Sequence, residues 1–147
     1  LLRLRQLRLR LGGYALALLV GLALASCGAA SESGPLGDAA RGQGVFRGAE
    51  TLQTDRLEAC IDCHSDVVGG ESYIAHNLSN IGNRAETTVA GQQPISYLRT
   101  AILAPDAYLA AGFQEGIMPR TYAELLTEQD INDLIAYMLT LKSGQDE

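Results

Sequence analysis

Two thiols and an imidazole stand within five residues at Cys60-Ile61-Asp62-Cys63-His64. No other stretch of the chain is so restrictive. C-x-x-C-H is the attachment signature of a c-type haem. The two thiols can add across two vinyl groups and form thioethers. The histidine that follows is then placed to act as the proximal iron ligand. A group tethered in this way stays bound without a binding equilibrium. The chain is therefore expected to fold around one large apolar plate.

Other uses of a C-x-x-C pair fit less well. A thioredoxin-like pair belongs in a strand-rich βαβ context, and no alternating strand of convincing length is present. Zinc would call for a second ligand pair, and the only other cysteine is Cys27. A lipid on Cys27 and a haem on Cys60 and Cys63 would leave no free thiol.

Residues 1–10 carry Arg3, Arg5, Arg8 and Arg10, and residues 11–25 carry no charge. A basic segment, a short apolar segment and small residues before a cut site mark a secretory signal. Leu24-Ala25-Ser26-Cys27 resembles a bacterial lipobox. That resemblance implies a signal over residues 1–26 and a diacylglyceryl group on Cys27, with the domain held on the periplasmic face of the cytoplasmic membrane. An ordinary signal with an incidental cysteine is a second reading. A third is an uncleaved anchor running through Ala30, near the length needed to span a membrane. Residues 28–37, GAASESGPLG, read as a flexible tether. Thioether attachment of haem takes place outside the cytoplasm in bacteria, so an export signal and C-x-x-C-H point to the same compartment.

All 17 acidic residues follow Cys27, with 7 of the 11 basic ones, so the segment after Cys27 carries 7 minus 17, or −10. Phosphate binding needs the opposite sign, which argues against nucleic acid. An acidic surface favours fast, salt-sensitive docking to a basic partner, or serves solubility alone.

The remainder reads as all-α, with a domain over 38–142 and a short tail over 143–147. Asp38 is placed to cap a first helix reaching about Gly48. Residues 65–93, rich in Gly, Asn and Ser, read as a loop wrapped around something. Pro94 suits the first position of a helix that Pro105 ends, with Ile95, Leu98 and Ile102 on one face. Thr127 caps the clearest helix, in which Ile131, Leu134, Ile135, Met138 and Leu141 keep helical spacing. Two Phe and no Trp give a modest core, which a buried porphyrin would enlarge.

His64 would supply one axial ligand. Met118, Met138 and His76 are the candidates for the other. Met138 falls on the apolar face of the last helix and reads as core. Met118 lies in Gly116-Ile117-Met118-Pro119, 54 residues after His64, enough chain to approach from the far side. A thioether is a soft, neutral ligand that favours ferrous iron. His76 is the rival, and would give a bis-histidine site.

Residues 38–142 resemble a class I c-type cytochrome. The residues that carry the likeness are Gly42 and Phe46, the pentapeptide, Asn77-Leu78, Met118-Pro119, and Leu134 with Tyr137. The resemblance implies three to five helices around one covalent haem c, crossed first and last helices with Gly42 at the close approach, and Phe46 against Tyr137. It implies an electron carrier with His64 and Met118 as axial ligands, and Leu78, Arg84, Tyr97, Leu98 and Pro119 in the haem pocket. Two departures stand out. The stretch from Phe46 to Cys60 is long, and the family's Gly-Pro before Asn-Leu is here Ala75-His76, so the carbonyl that orients the proximal imidazole, which the family's Pro supplies, would come from another residue type. Ile81-Gly82-Asn83-Arg84 and the run from Tyr97-Leu98-Arg99 to Met118-Pro119 are similar to haem domains of respiratory complexes, among them cytochrome c domains of haem-copper oxidases and the monohaem lipoprotein subunit of alternative complex III. By that likeness Arg84 or Arg99 could pair with a propionate, and the protein's partners would be redox proteins of such a complex. The alternatives are a haem peroxidase or gas sensor with an open sixth site, and a structural haem subunit.

Overall fold

The computed structural model describes residues 37–50, 58–72 and 74–143. The signal, Cys27, residues 28–36 of the tether, most of the stretch between Phe46 and Cys60, and residues 144–147 of the tail lie outside the described residues. Five α-helices and no strand are found among the described residues: α1 (Ala39–Phe46), α2 (Ile81–Arg84), α3 (Pro94–Leu103), α4 (Tyr122–Leu125) and α5 (Glu128–Thr140). Single 3-10 turns occupy Cys60–Asp62 and Pro105–Ala107. The all-α expectation holds.

Caps set the ends of the two longest-range partners. Asp38 accepts from the N–H groups of Ala40 and Arg41 at the start of α1. Thr127 and Asp130 form a reciprocal capping box at the start of α5, satisfying donors that the first turn leaves unpaired. Pro94 takes the first turn of α3, as its fixed φ favours.

The main packing is α1 against α5. Gly42 lies so close to α5 that a Cβ there would stand 1.9 Å from the backbone oxygen of Asp133. Beside this crossing Phe46 and Tyr137 meet edge to face, with ring centroids 5.5 Å apart. Val45, Phe46, Leu134, Ile135 and Leu98 are buried at the centre.

Charges fasten the same crossing. Arg41 on α1 reaches Asp130 and Asp133 on α5, each at 2.5 Å. The Asp133 side chain is fully buried and also accepts from the Asp38 N–H and the Gln129 amide, both at 2.7 Å. Burial pushes the Asp133 carboxyl up, but its hydrogen bonds from Arg41, Asp38 and Gln129 outweigh that and hold it below the ordinary carboxylate value. A carboxyl lowered on folding stabilises the fold above its unfolded pKa, about 4, and that contribution is lost as pH falls through the lower folded value. Denaturant titrations should therefore give level stability near neutrality and a decline below about pH 4. Asp133→Asn should cost about 2 kcal/mol at pH 7 and flatten part of that decline.

Two expectations need correction. Ile95 is 43% exposed and Ser96 beside it is exposed too; the buried residues of α3 are Leu98 and Ile102, with Tyr97 half-buried beside them. Residues 65–93 are not one loop. They hold α2, and side-chain bonds order the rest. The Asn77 amide donates to the carbonyls of Val67 and Gly70, both at 2.9 Å, and its oxygen accepts from the Ser79 N–H. Gly82 N–H donates to Leu141 O, and Ser143 bonds Ser79 O through both its N–H and its hydroxyl, so α2 is laced to the end of α5.

Candidate functional site

The pentapeptide enters the 3-10 turn Cys60–Asp62. Asp62 closes the turn by accepting from the Ala59 N–H at 3.1 Å, and the N–H groups of Cys63 and His64 both return to Cys60 O. This local winding turns Cys60, Cys63 and His64 toward one cavity of about 330 Å³, a size usual for small-molecule and cofactor sites.

Burial pushes the Cys60 thiol up to about 11. Cys63 is also raised, by desolvation first and then by Glu58 and Asp62. A redox-active dithiol needs the reverse, a lowered thiol pKa. The pair is thus poorly suited to disulfide exchange and retains the neutral thiols that thioether formation consumes.

His64 is oriented by a bond the sequence left in question. Its Nδ1 lies 2.8 Å from the carbonyl oxygen of His76. A carbonyl only accepts, so Nδ1 carries the proton and Nε2 keeps its lone pair. Burial lowers the pKa of His64, and the nearby Arg84 charge lowers it further against the raising effect of the His76 carbonyl. The imidazole is therefore neutral at pH 7 and fit to ligate. Ala75-His76 replaces the family's Gly-Pro, yet the orienting carbonyl is supplied at His76.

A buried carboxylate fixes the chain just after the pentapeptide. Asp66 accepts from Arg47 Nε and Nη2 at 3.1 and 2.8 Å and from the Tyr137 hydroxyl at 2.5 Å. The residue two positions beyond His64 is in this way tied to the end of α1 and the face of α5.

Met118 and Pro119 border the same cavity, and so do Leu78, Arg84, Tyr97 and Leu98. The structure thus gathers these sequence-nominated residues around one space. Arg84 donates from Nη2 to Asn77 O at 2.8 Å. Arg99 is not among the lining residues; it pairs with Glu128, because its position on α3 turns it toward the start of α5. Met138, read as core, is buried and also borders the cavity.

His76 borders the cavity too, with its ring 4.1 Å from that of Phe113. Its backbone serves His64 while its side chain meets the segment that carries Met118. Sequence reasoning passed over Phe113, Tyr122 and Ala101. Ala101 was within reach, since it stands one turn after Tyr97. Tyr122 donates to Glu58 O at 3.1 Å and closes the cavity beside Cys60; no local pattern announces it.

The residues fit a covalently held haem. Two thiols at i and i+3, a neutral imidazole with a pinned Nδ1 and a soft thioether all face one mainly apolar cavity. No group of three or more His, Cys, Asp or Glu side chains able to hold a bare metal ion occurs among the described residues.

A family model for cytochrome c matches residues 39–142, more than two thirds of the chain. No curated protein and no solved structure gives a match. The matched span contains the single C-x-x-C-H pentapeptide, which provides for one covalently attached haem c. The chain belongs to the cytochrome c family, whose bound haem serves electron transfer.

Proposed function

We propose that the protein is a one-electron carrier, lipid-anchored at Cys27 on the periplasmic face of the bacterial cytoplasmic membrane, working with or within a respiratory or photosynthetic electron-transport complex. Cys60 and Cys63 form the thioethers. His64 and Met118 are the axial ligands. The haem, when bound, supplies the Fe(III)/Fe(II) couple; the chain supplies burial, ligation and a docking surface.

The observation that carries the ligation is the His64 Nδ1 contact with the His76 carbonyl, in a cavity that Met118 also lines. The pinned ring offers Nε2 in one orientation and raises its basicity as a ligand. The apolar lining excludes water and lowers the local dielectric. Asp66, gripped by Arg47 and Tyr137, keeps the pentapeptide in register with the α1–α5 frame. Two ligands retained through the cycle keep reorganisation small. His76, the imidazole a peroxidase reading would need as acid–base group, packs against Phe113 with the two rings tilted by 45°.

The anchor and compartment rest on residues 1–27, and the partner class on the likeness of Ile81-Gly82-Asn83-Arg84 and the run from Tyr97 to Pro119 to haem domains of respiratory complexes, with the −10 charge after Cys27 suiting a basic docking surface. Purification from native membranes in mild detergent, with a redox titration of the product, tests the proposal. The expected result is a membrane-bound haem protein that titrates as one reversible one-electron step and co-purifies with redox subunits. A haem that stays in one oxidation state during turnover of its complex would instead favour the structural-subunit reading.

A further inference from the structure

Met118 sits in a short segment whose two flanks are fastened to one carboxylate. Asp106 lies in the 3-10 turn Pro105–Ala107, directly after α3. One of its oxygens accepts from the backbone N–H of Gly116 at 2.9 Å. The other accepts from Arg120 Nε at 2.5 Å. Arg120 also donates from Nη2 to Glu115 at 2.8 Å. The residues two before and two after Met118 are thus held by the same side chain. Gly116 has a φ of +79°, a backbone setting that favours glycine, and in that setting its N–H meets Asp106. Asp106 borders the cavity, and its side chain is 19% exposed against 62% for Arg120.

An isolated surface ion pair contributes little. This one differs because its carboxylate also takes a charge-assisted bond from the backbone, and the two bonds bracket a single residue. A segment fixed on both sides keeps its central side chain at high effective concentration at one place. Thioether sulfur is a weak enough ligand for ferric iron that such fixing decides whether an outside ligand displaces it.

The geometry points to Asp106 as the positioning residue for Met118: it holds the thioether in place and so sets how well the sixth position resists exogenous ligands. The inference rests on the reading of Met118 as the sixth ligand. Asp106 itself does not touch the reacting atoms; it acts through the Gly116 N–H and Arg120.

The test uses ferric holoprotein and free imidazole as probe. Asp106→Ala should tighten imidazole binding about tenfold or more, the range of a lost charge-assisted hydrogen bond. It should also weaken the methionine–iron charge-transfer band. Asp106→Asn keeps an acceptor for the Gly116 N–H and removes the charge, so it should fall between native and alanine, and it carries the test if the alanine variant fails to load haem. Lys142→Ala, which breaks the remote pair with Glu86, should leave imidazole affinity unchanged. Native-like affinity and band in the Asp106 variants would overturn the inference. Equal tightening in Lys142→Ala would overturn it too, by showing a general loss of stability. A native protein without the band would instead remove the His/Met reading beneath it.

Discussion

Met118→Ala is expected to abolish the methionine–iron charge-transfer band completely and to lower the reduction potential. The thioether is a soft ligand that favours ferrous iron, so its removal favours the ferric state. Water or an added ligand would then take the sixth position, and the reduced variant should bind carbon monoxide rapidly. The fold itself should survive. Met118 is only partly buried and packs at the edge of the core, whereas the centre is built from α1, α3 and α5. Met138→Leu is the matching control. It alters another cavity-lining methionine by a near volume-conserving swap, should cost less than about 1.5 kcal/mol, and should leave the band in place. A band lost in Met138→Leu and kept in Met118→Ala would reverse the assignment.

Gly42→Ala should destabilise the holoprotein by about 3 kcal/mol, lowering Tm by roughly 10–20 °C. Helix propensity alone predicts the opposite sign, since alanine in a helix interior gains about 1 kcal/mol over glycine. The crossing decides the contest. An added Cβ would stand 1.9 Å from Asp133 O and 2.4 Å from its carbonyl carbon, and both are backbone that cannot swing aside. α1 must then move off α5, which disturbs the Phe46–Tyr137 contact and stretches the Arg41 bonds to Asp130 and Asp133. Thermal melts of the two holoproteins at pH 7 read the sign directly, and a stabilised variant would show that propensity outweighs packing here.

How much of this was legible in the sequence follows from the range of each interaction. Asp38 and Thr127 cap helices through bonds to residues two or three positions away, and such short patterns can be read from one segment. Gly42, Phe46 and Tyr137 were legible through family resemblance, because a crossing of the first and last helices cannot be inferred from either helix alone. The misjudged Ile95 shows the limit of periodicity. Its spacing matches Ile102, but spacing does not say where along a helix the core begins. The ties that order the loops were hidden for a related reason. Asp66 meets Tyr137 across 71 positions and Asp106 meets Arg120 across 14. In both cases a charged residue in a polar stretch looks like surface until its partner is brought to it. His76 was weighed as a possible ligand on its side chain, while the atom that serves His64 is its backbone oxygen, which any residue type carries.

The central claim is that both axial positions of the iron are filled by the chain itself, by His64 and Met118. Mixing the reduced native holoprotein with carbon monoxide at pH 7 and following the Soret absorbance tests it most directly. An unchanged six-coordinate spectrum over minutes is expected. Rapid, saturable formation of a carbon monoxide complex would contradict it and put a gas-binding or peroxidase function in place of the carrier.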